Sequence, residues 1–186
     1  MYTCHSGGCP GADMTWETEG DKYGIHTIAY SFHNHIQSGK NQKILTQDEL
    51  AEGYRHVEIA SIGLKRSLNY PGMYPYVKNL LARNWYQVKG ADAIFAVGQF
   101  ERKTPPFKRV KGGTGWAVQM AVDNQKPVYF FDQTSTAWWE YNYVDGLFEL
   151  MVISPELTKN FAGIGTREIT DDGVRAIQQI LQQTFP

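Results

Sequence analysis

Ala93-Ile94-Phe95-Ala96-Val97 is an uninterrupted apolar run of strand length. A strand with one wet face alternates apolar and polar residues. This run does not alternate, so both of its faces must be covered, as in a parallel sheet flanked by helices. Its neighbours agree. Tyr76 to Lys89 places Val77, Leu80 and Leu81 on one face, with Asn84 and Val88 further along, which is helical spacing. Downstream, Trp116 to Asn124 reads as a helix and Val128-Tyr129-Phe130-Phe131 as a second buried strand.

The same alternation extends to both ends of the chain. Tyr2 to His5 reads as a short strand, Asp13 to Tyr23 as a helix, and Ile25 to Phe32 as a β-rich strand bounded by Gly24. His33 to Lys43 is polar and reads as loop. Thr46, with Glu49 three residues on, is a capping-box signature that opens a helix through Leu64. Tyr70-Pro71-Gly72-Met73-Tyr74-Pro75 is a break. Residues 137–151 are rich in aromatics and read as mixed helix and loop. Asn160 to Ile164 is the last strand and Asp171 to Thr184 the last helix, with Asp171 and Asp172 where the helix dipole favours anions. Strands alternating with helices predict right-handed βαβ units in one α/β domain spanning residues 1–186. The expected fold is three-layer and Rossmann-like, a mainly parallel sheet with helices on both faces.

Composition bounds the function. The 186 residues carry 18 Lys+Arg against 19 Asp+Glu, a net charge of −1, so a nucleic-acid partner is not expected. The nearest basic segment is the loop from Glu101 to Lys111. Two cysteines, Cys4 and Cys9, are too few for a disulfide scaffold or a zinc site, and both are expected to remain thiols. No signal-peptide pattern opens the chain and no apolar run approaches about 18 residues, so neither a membrane partner nor export is expected and the location is read as cytoplasmic.

Chemistry is expected at three glycine-rich turns, each between a strand and a helix. They are Ser6-Gly7-Gly8-Cys9-Pro10-Gly11-Ala12-Asp13, Gly112-Gly113-Thr114-Gly115-Trp116 and Phe161-Ala162-Gly163-Ile164-Gly165-Thr166-Arg167. Glycine lets backbone N–H groups approach an anion, and the helix N-terminus adds partial positive charge. In a parallel sheet, turns at strand carboxyl ends can line one cleft although they are distant in sequence.

These turns resemble those of the SLOG superfamily of Rossmann-like proteins, which includes Lonely Guy cytokinin-activating enzymes, DprA-like and YpsA-like proteins and molybdenum cofactor carrier proteins. The resemblance covers roughly residues 1–131 and 159–184. Ser6 to Asp13 resembles the family's SGG-x-x-G-x-D turn. Gly112 to Gly115 resembles its PGG-x-GT loop, with Lys111 in place of proline and Trp116 in place of threonine. Ala82-Arg83-Asn84, ahead of Ala91-Asp92-Ala93-Ile94, resembles its Arg-Lys segment. Phe161 to Arg167 resembles its first-strand GSR turn. The resemblance implies a nucleotide-derived ligand, with ADP-ribose-like signals among the candidates, no required cofactor, and a homodimer or higher homo-oligomer.

Two departures matter. Gln119 stands where Lonely Guy hydrolases place a catalytic Glu, and Gln cannot serve as a general base. Asn84 replaces the Lys. Binding without turnover is therefore expected. The alternative is N-glycoside hydrolysis of a nucleoside monophosphate, with Arg83 and a carboxylate such as Asp13 or Glu17 as the working groups. A DprA-like single-strand DNA binder is a third reading that the neutral charge opposes. The other departure is order: the GSR-like turn comes last, which implies a circular permutation and predicts adjacent termini.

The expected ligand-binding set is Ser6, Gly7, Gly8, Cys9, Pro10, Gly11, Ala12, Asp13, Arg83, Asn84, Gly112, Gly113, Thr114, Gly115, Trp116, Gly163, Gly165, Thr166 and Arg167. Trp116 and Tyr86 are candidates for stacking on a base. His33-Asn34-His35, near the expected cleft mouth, reads as a polar loop, with metal or ribose contact as the alternative, and no metal site is expected. Trp138, Trp139, Tyr141 and Tyr143 suit core packing or a dimer interface, with base stacking as the second role.

Overall fold

The structure, a computed structural model, describes residues 1–68 and 75–186. The chain runs β1 (Thr3–Ser6), α1 (Ala12–Asp21), β2 (His26–Ser31), β3 (Gln42–Ile44), α2 (Gln47–Leu64), α3 (Pro75–Lys89), β4 (Ala93–Gly98), α4 (Gly112–Asp123), β5 (Val128–Asp132), β6 (Ala137–Asn142), β7 (Leu147–Leu150), β8 (Asn160–Gly165) and α5 (Asp171–Thr184). The strands form one mixed sheet in the order β3-β2-β1-β8-β4-β5-β6-β7. Every pairing from β3 to β5 is parallel; β6 and β7 add antiparallel edge strands.

The unalternating run 93–97 is buried on both faces, as its composition demands. Ile94 and Ala96 join the core beneath α2, α3 and α4, with Val57, Val88 and Met120. Ala93, Phe95 and Val97 join the opposite core beneath α1 and α5, with Trp16, Phe161, Ile177 and Leu181. The result is the expected three-layer α/β architecture. The Thr46–Glu49 capping box is present in both directions, and Thr170 caps α5 through Gly173 N.

Three expectations need correction. Residues 137–151 form no helix. They supply the hairpin β6–β7, whose side chains pack on Phe100, Phe107 and Phe130. The end of the 33–43 loop contains β3, whose residues are all exposed and so carry no burial pattern. The second glycine segment is not a turn ahead of a helix, because Gly112 to Gly115 form the first turn of α4. The predicted break at 70–75 lies outside the described residues except for Pro75, which opens α3.

The crossover direction changes beside β8. The β1-to-β2 connection runs through α1 on one face of the sheet, and the β4-to-β5 connection runs through α4 on the other. A sheet wound in two directions opens a crevice at the carboxyl ends of the strands where the winding reverses. Here those strands are β8 and β4, which pair from Ala93↔Phe161 to Val97↔Gly165. The chain ends lie together at the other end of β1: the Tyr2 and Phe185 rings are 4.7 Å apart, edge to face.

Candidate functional site

A cleft of about 490 Å³ opens at this switch point. Gly98 and Gln99 at the end of β4, Gly165 to Glu168 after β8, and Lys111 to Thr114 at the start of α4 form three of its sides. Val77, Leu80, Leu81, Arg83, Asn84 and Gln87 of α3 form the fourth, and Cys9 and Asp13 close the base. From the expected set, the cleft gathers Cys9, Asp13, Arg83, Asn84, Gly112, Gly113, Thr114, Gly165, Thr166 and Arg167. Gln87, Gln99, Lys111, Gln133 and Glu168 also line it and were not expected. Gln87 shares a helical face with Arg83, four residues earlier, and that spacing was the available signal.

The rest of the expected set lies outside the lining, for packing reasons. Ser6 is fully buried and its Oγ has no partner among the described residues. Gly7 lies against α3: a Cβ there would come within 2.7 Å of Asp13 Oδ2 and 2.5 Å of Gln87 Nε2. Gly8 takes φ +64° beneath the Gln37 side chain, and Ser38 N donates to its carbonyl. Pro10 is exposed, and Gly11 and Ala12 dock against the chain after β8, where Ala12 N donates to Thr166 O. Gly115 packs against the carbonyl of Val110. Gly163, inside β8, leaves room for Trp16 of α1, whose ring would meet any Cβ at 2.7 Å. Trp116 is buried with the Arg66 guanidinium 5.7 Å from its ring, and Arg66 also donates to Gly112 O and Val110 O. Tyr86 faces a separate pocket of about 240 Å³, where its hydroxyl donates to Glu52. Bonds from Lys89, Trp85 and Tyr86 hold the Glu52 carboxyl down to about 2.

The first glycine turn already surrounds an anion, and that anion is the protein's own. Asp13 sits in the first turn of α1, is 5% exposed, and accepts from Gly7 N, from Cys9 N at 3.3 Å and from Gly165 N at 3.1 Å. Burial raises its carboxyl to about 6, against the opposing pull of the Arg83 charge and these three N–H groups. Arg83 is equally buried. It is no helix-surface ion pair: Nη1 donates to Gly7 O at 2.7 Å and Tyr30 O at 3.3 Å, Nη2 donates to Cys9 Sγ at 3.1 Å, and Nε has no partner among the described residues.

The second glycine segment is different. Among the described residues, no side chain caps α4, and a Cβ on Gly112 or Gly113 would meet nothing within 4 Å. The first N–H groups of an α-helix have no intrahelical partner and carry the positive end of its dipole. Lys111 and Arg167 stand at the rim of the same cleft, both exposed. Gln119 takes no part: it donates to Asp123 and packs against Gly63 of α2.

His35 bonds Ser31 Oγ through Nδ1 at 3.0 Å and stacks on Phe32. Burial and the positive charges of Arg83 and Arg167 push it down to about 4, so it is neutral at pH 7. His33 is exposed, and no group of three or more His, Cys, Asp or Glu among the described residues could hold a metal ion. No helix among them is long and apolar enough to cross a membrane. Comparison with protein-family models, with curated proteins and with solved structures finds no significant match to this chain.

Proposed function

We propose that the cleft between α3, α4 and the end of β8 binds a phosphate-bearing small molecule of nucleotide type, and that the protein senses or sequesters it. The observation that carries this reading is the uncapped α4 N-terminus at Gly112 and Gly113, open to a cleft that also presents Arg83, Lys111 and Arg167. Backbone N–H groups and guanidinium forks are the groups that recognise phosphate. The permuted SLOG-type relationship belongs to the same proposal. Leaving aside the three-residue edge strand β3, the parallel strands counted from β8 (β8, β1, β2, β4 and β5) take the spatial order 3-2-1-4-5 of a doubly wound sheet, and the adjacent chain ends allow such a reconnection. Oligomerisation rests on analogy alone; the aromatics of the β6–β7 hairpin that are buried serve the core.

A second reading, N-glycoside hydrolysis, draws on one observation. Asp13 lies in the cleft with its carboxyl raised to about 6, where it can exchange a proton near neutral pH. Incubation with AMP, NAD and ADP-ribose, followed by chromatography and calorimetry, separates the readings. Intact ligand retained by the protein supports binding; a free base released with turnover supports hydrolysis. If none of the three binds, both readings fall.

A further inference from the structure

Resting on the reading of the cleft as a phosphate-binding site, we infer that it selects its ligand by the phosphate and the hydroxyls of an attached sugar, and is indifferent to the base. Three observations lead there. The first is an absence of platforms. Among the described residues, no Phe, Tyr, Trp or His side chain lines the cleft. Bases are held in nucleotide sites largely by stacking on such rings. The aromatic candidates lie elsewhere: Trp116 beneath Arg66, Tyr86 toward Glu52, and Trp138, Trp139, Tyr141 and Tyr143 on the β6–β7 hairpin, outside the cleft lining. The apolar lining among the described residues, Val77, Leu80 and Leu81 of α3 with Ala117 and Ile164, is aliphatic.

The second observation is a pair of carboxamides. Asn84 and Gln87 are 8% and 3% exposed, line the cleft, and make no side-chain hydrogen bond to any described residue. Neither amide belongs to the fully buried polar atoms that lack a partner, so both reach the cleft, and each offers both a donor and an acceptor. That mixed capacity suits hydroxyls, which donate and accept. A phosphate accepts only and needs the groups on the other side of the cleft.

The third is the arrangement. The α4 N-terminus faces the cleft from one side, and Arg83, Asn84 and Gln87 face it from α3 on the other. A ligand with its phosphate at Gly112 and Gly113 presents its sugar to α3. Beyond that sugar the described lining offers the exposed Val77 and polar side chains at the rim, none of them a ring on which a base could stack.

Calorimetry on the full chain at fixed ionic strength tests this, with ribose 5-phosphate, AMP, UMP, adenosine and inorganic phosphate as probes. Ribose 5-phosphate, AMP and UMP are expected to bind within about threefold of one another, and adenosine about 100-fold more weakly, since it lacks the charge-assisted bonds. Inorganic phosphate is expected to bind about tenfold more weakly than ribose 5-phosphate, for want of the hydroxyl contacts. AMP binding without ribose 5-phosphate, or AMP and UMP differing by more than about tenfold, overturns base indifference while leaving the nucleotide reading intact. Ribose 5-phosphate no tighter than inorganic phosphate overturns the hydroxyl contacts. Failure of every phosphorylated probe removes the nucleotide reading itself. Asn84→Ala, checked for folding by circular dichroism, should weaken ribose 5-phosphate and leave inorganic phosphate unchanged; equal weakening of both overturns the assignment of Asn84. Asn84→Ser, which keeps a hydroxyl donor and acceptor, should fall between the two.

Discussion

The first and second glycine segments look alike in sequence and do opposite things. Both put glycines at the start of a helix beside a parallel strand. At Ser6 to Asp13 the backbone N–H groups close on Asp13, and Arg83 clamps the same turn through Gly7 O. At Gly112 to Gly115 no carboxylate or capping side chain of the described residues turns back, and among those residues the space over Gly112 and Gly113 is open. A glycine-rich helix start is thus only a capacity to hold an anion. Whether a ligand fills it depends on whether the chain supplies its own carboxylate, as Asp13 does four residues after Cys9.

Breaking the closed turn should have the largest effect. Arg83→Met leaves Asp13 buried without its cation and Gly7 O and Tyr30 O without a donor. A loss of about 3–5 kcal/mol is expected, the cost of breaking a buried charge pair from one side, measured by urea unfolding at pH 7. A loss below about 1 kcal/mol would mean that Arg83 behaves as an exposed helix residue.

Asp13 sharpens the contrast through pH. Its folded carboxyl sits at about 6 against an ordinary value of 3.8, so the native state binds the extra proton between those values. Stability from this group therefore falls as pH rises from about 4 to about 6, by about 3 kcal/mol, and stays low above. His35, depressed to about 4, acts in the opposite sense over a similar range. The measurement is accordingly the wild-type minus Asp13→Asn difference in unfolding free energy from pH 3.5 to 7.5. A difference that does not decline across that range would show that burial does not raise the Asp13 carboxyl, the three N–H groups and Arg83 outweighing it.

The glycines themselves give smaller effects of opposite sign. Gly7→Ala forces a Cβ against Arg83, Gln87 and Asp13 and should cost about 1–3 kcal/mol, read as a lowered melting temperature. Gly113→Ala meets no atom and sits in a helix, so it should raise stability by about 0.5–1 kcal/mol. The same methyl intrudes where a phosphate must approach, so ribose 5-phosphate binding should weaken by about tenfold or more. A stabilised Gly113→Ala variant with unchanged affinity would place the anion elsewhere.

Much of the fold was legible because the signals were local or periodic. Thr46 with Glu49 marked the start of α2, and Ala93 to Val97 marked a doubly covered strand. The β6–β7 hairpin was missed because Trp138-Trp139-Glu140-Tyr141-Asn142 carries aromatics on both faces: Trp138 reaches one core and Trp139 borders the other, so the period of two is hidden. β3 was missed because it is exposed and three residues long. At the site, Arg83, Asn84 and the α4 glycines could be named in advance. Gln99, Gln133 and Glu168 could not, since each lies in a loop with no periodicity to mark it.

The sequence by itself determined the α/β layering, the helix starts, and the presence of three glycine-bearing strand-to-helix junctions, because capping, periodicity and burial on two faces are properties of short stretches. Only the tertiary structure decided which junction is open. That depends on side chains from elsewhere in the chain: Arg83, 76 residues beyond the Gly7 carbonyl it binds, and Asp13, whose other oxygen is bound by Gly165 152 residues away. Contacts at such separations leave no local pattern. They exist only because β8 lies between β1 and β4, which brings the last strand of the chain beside the first.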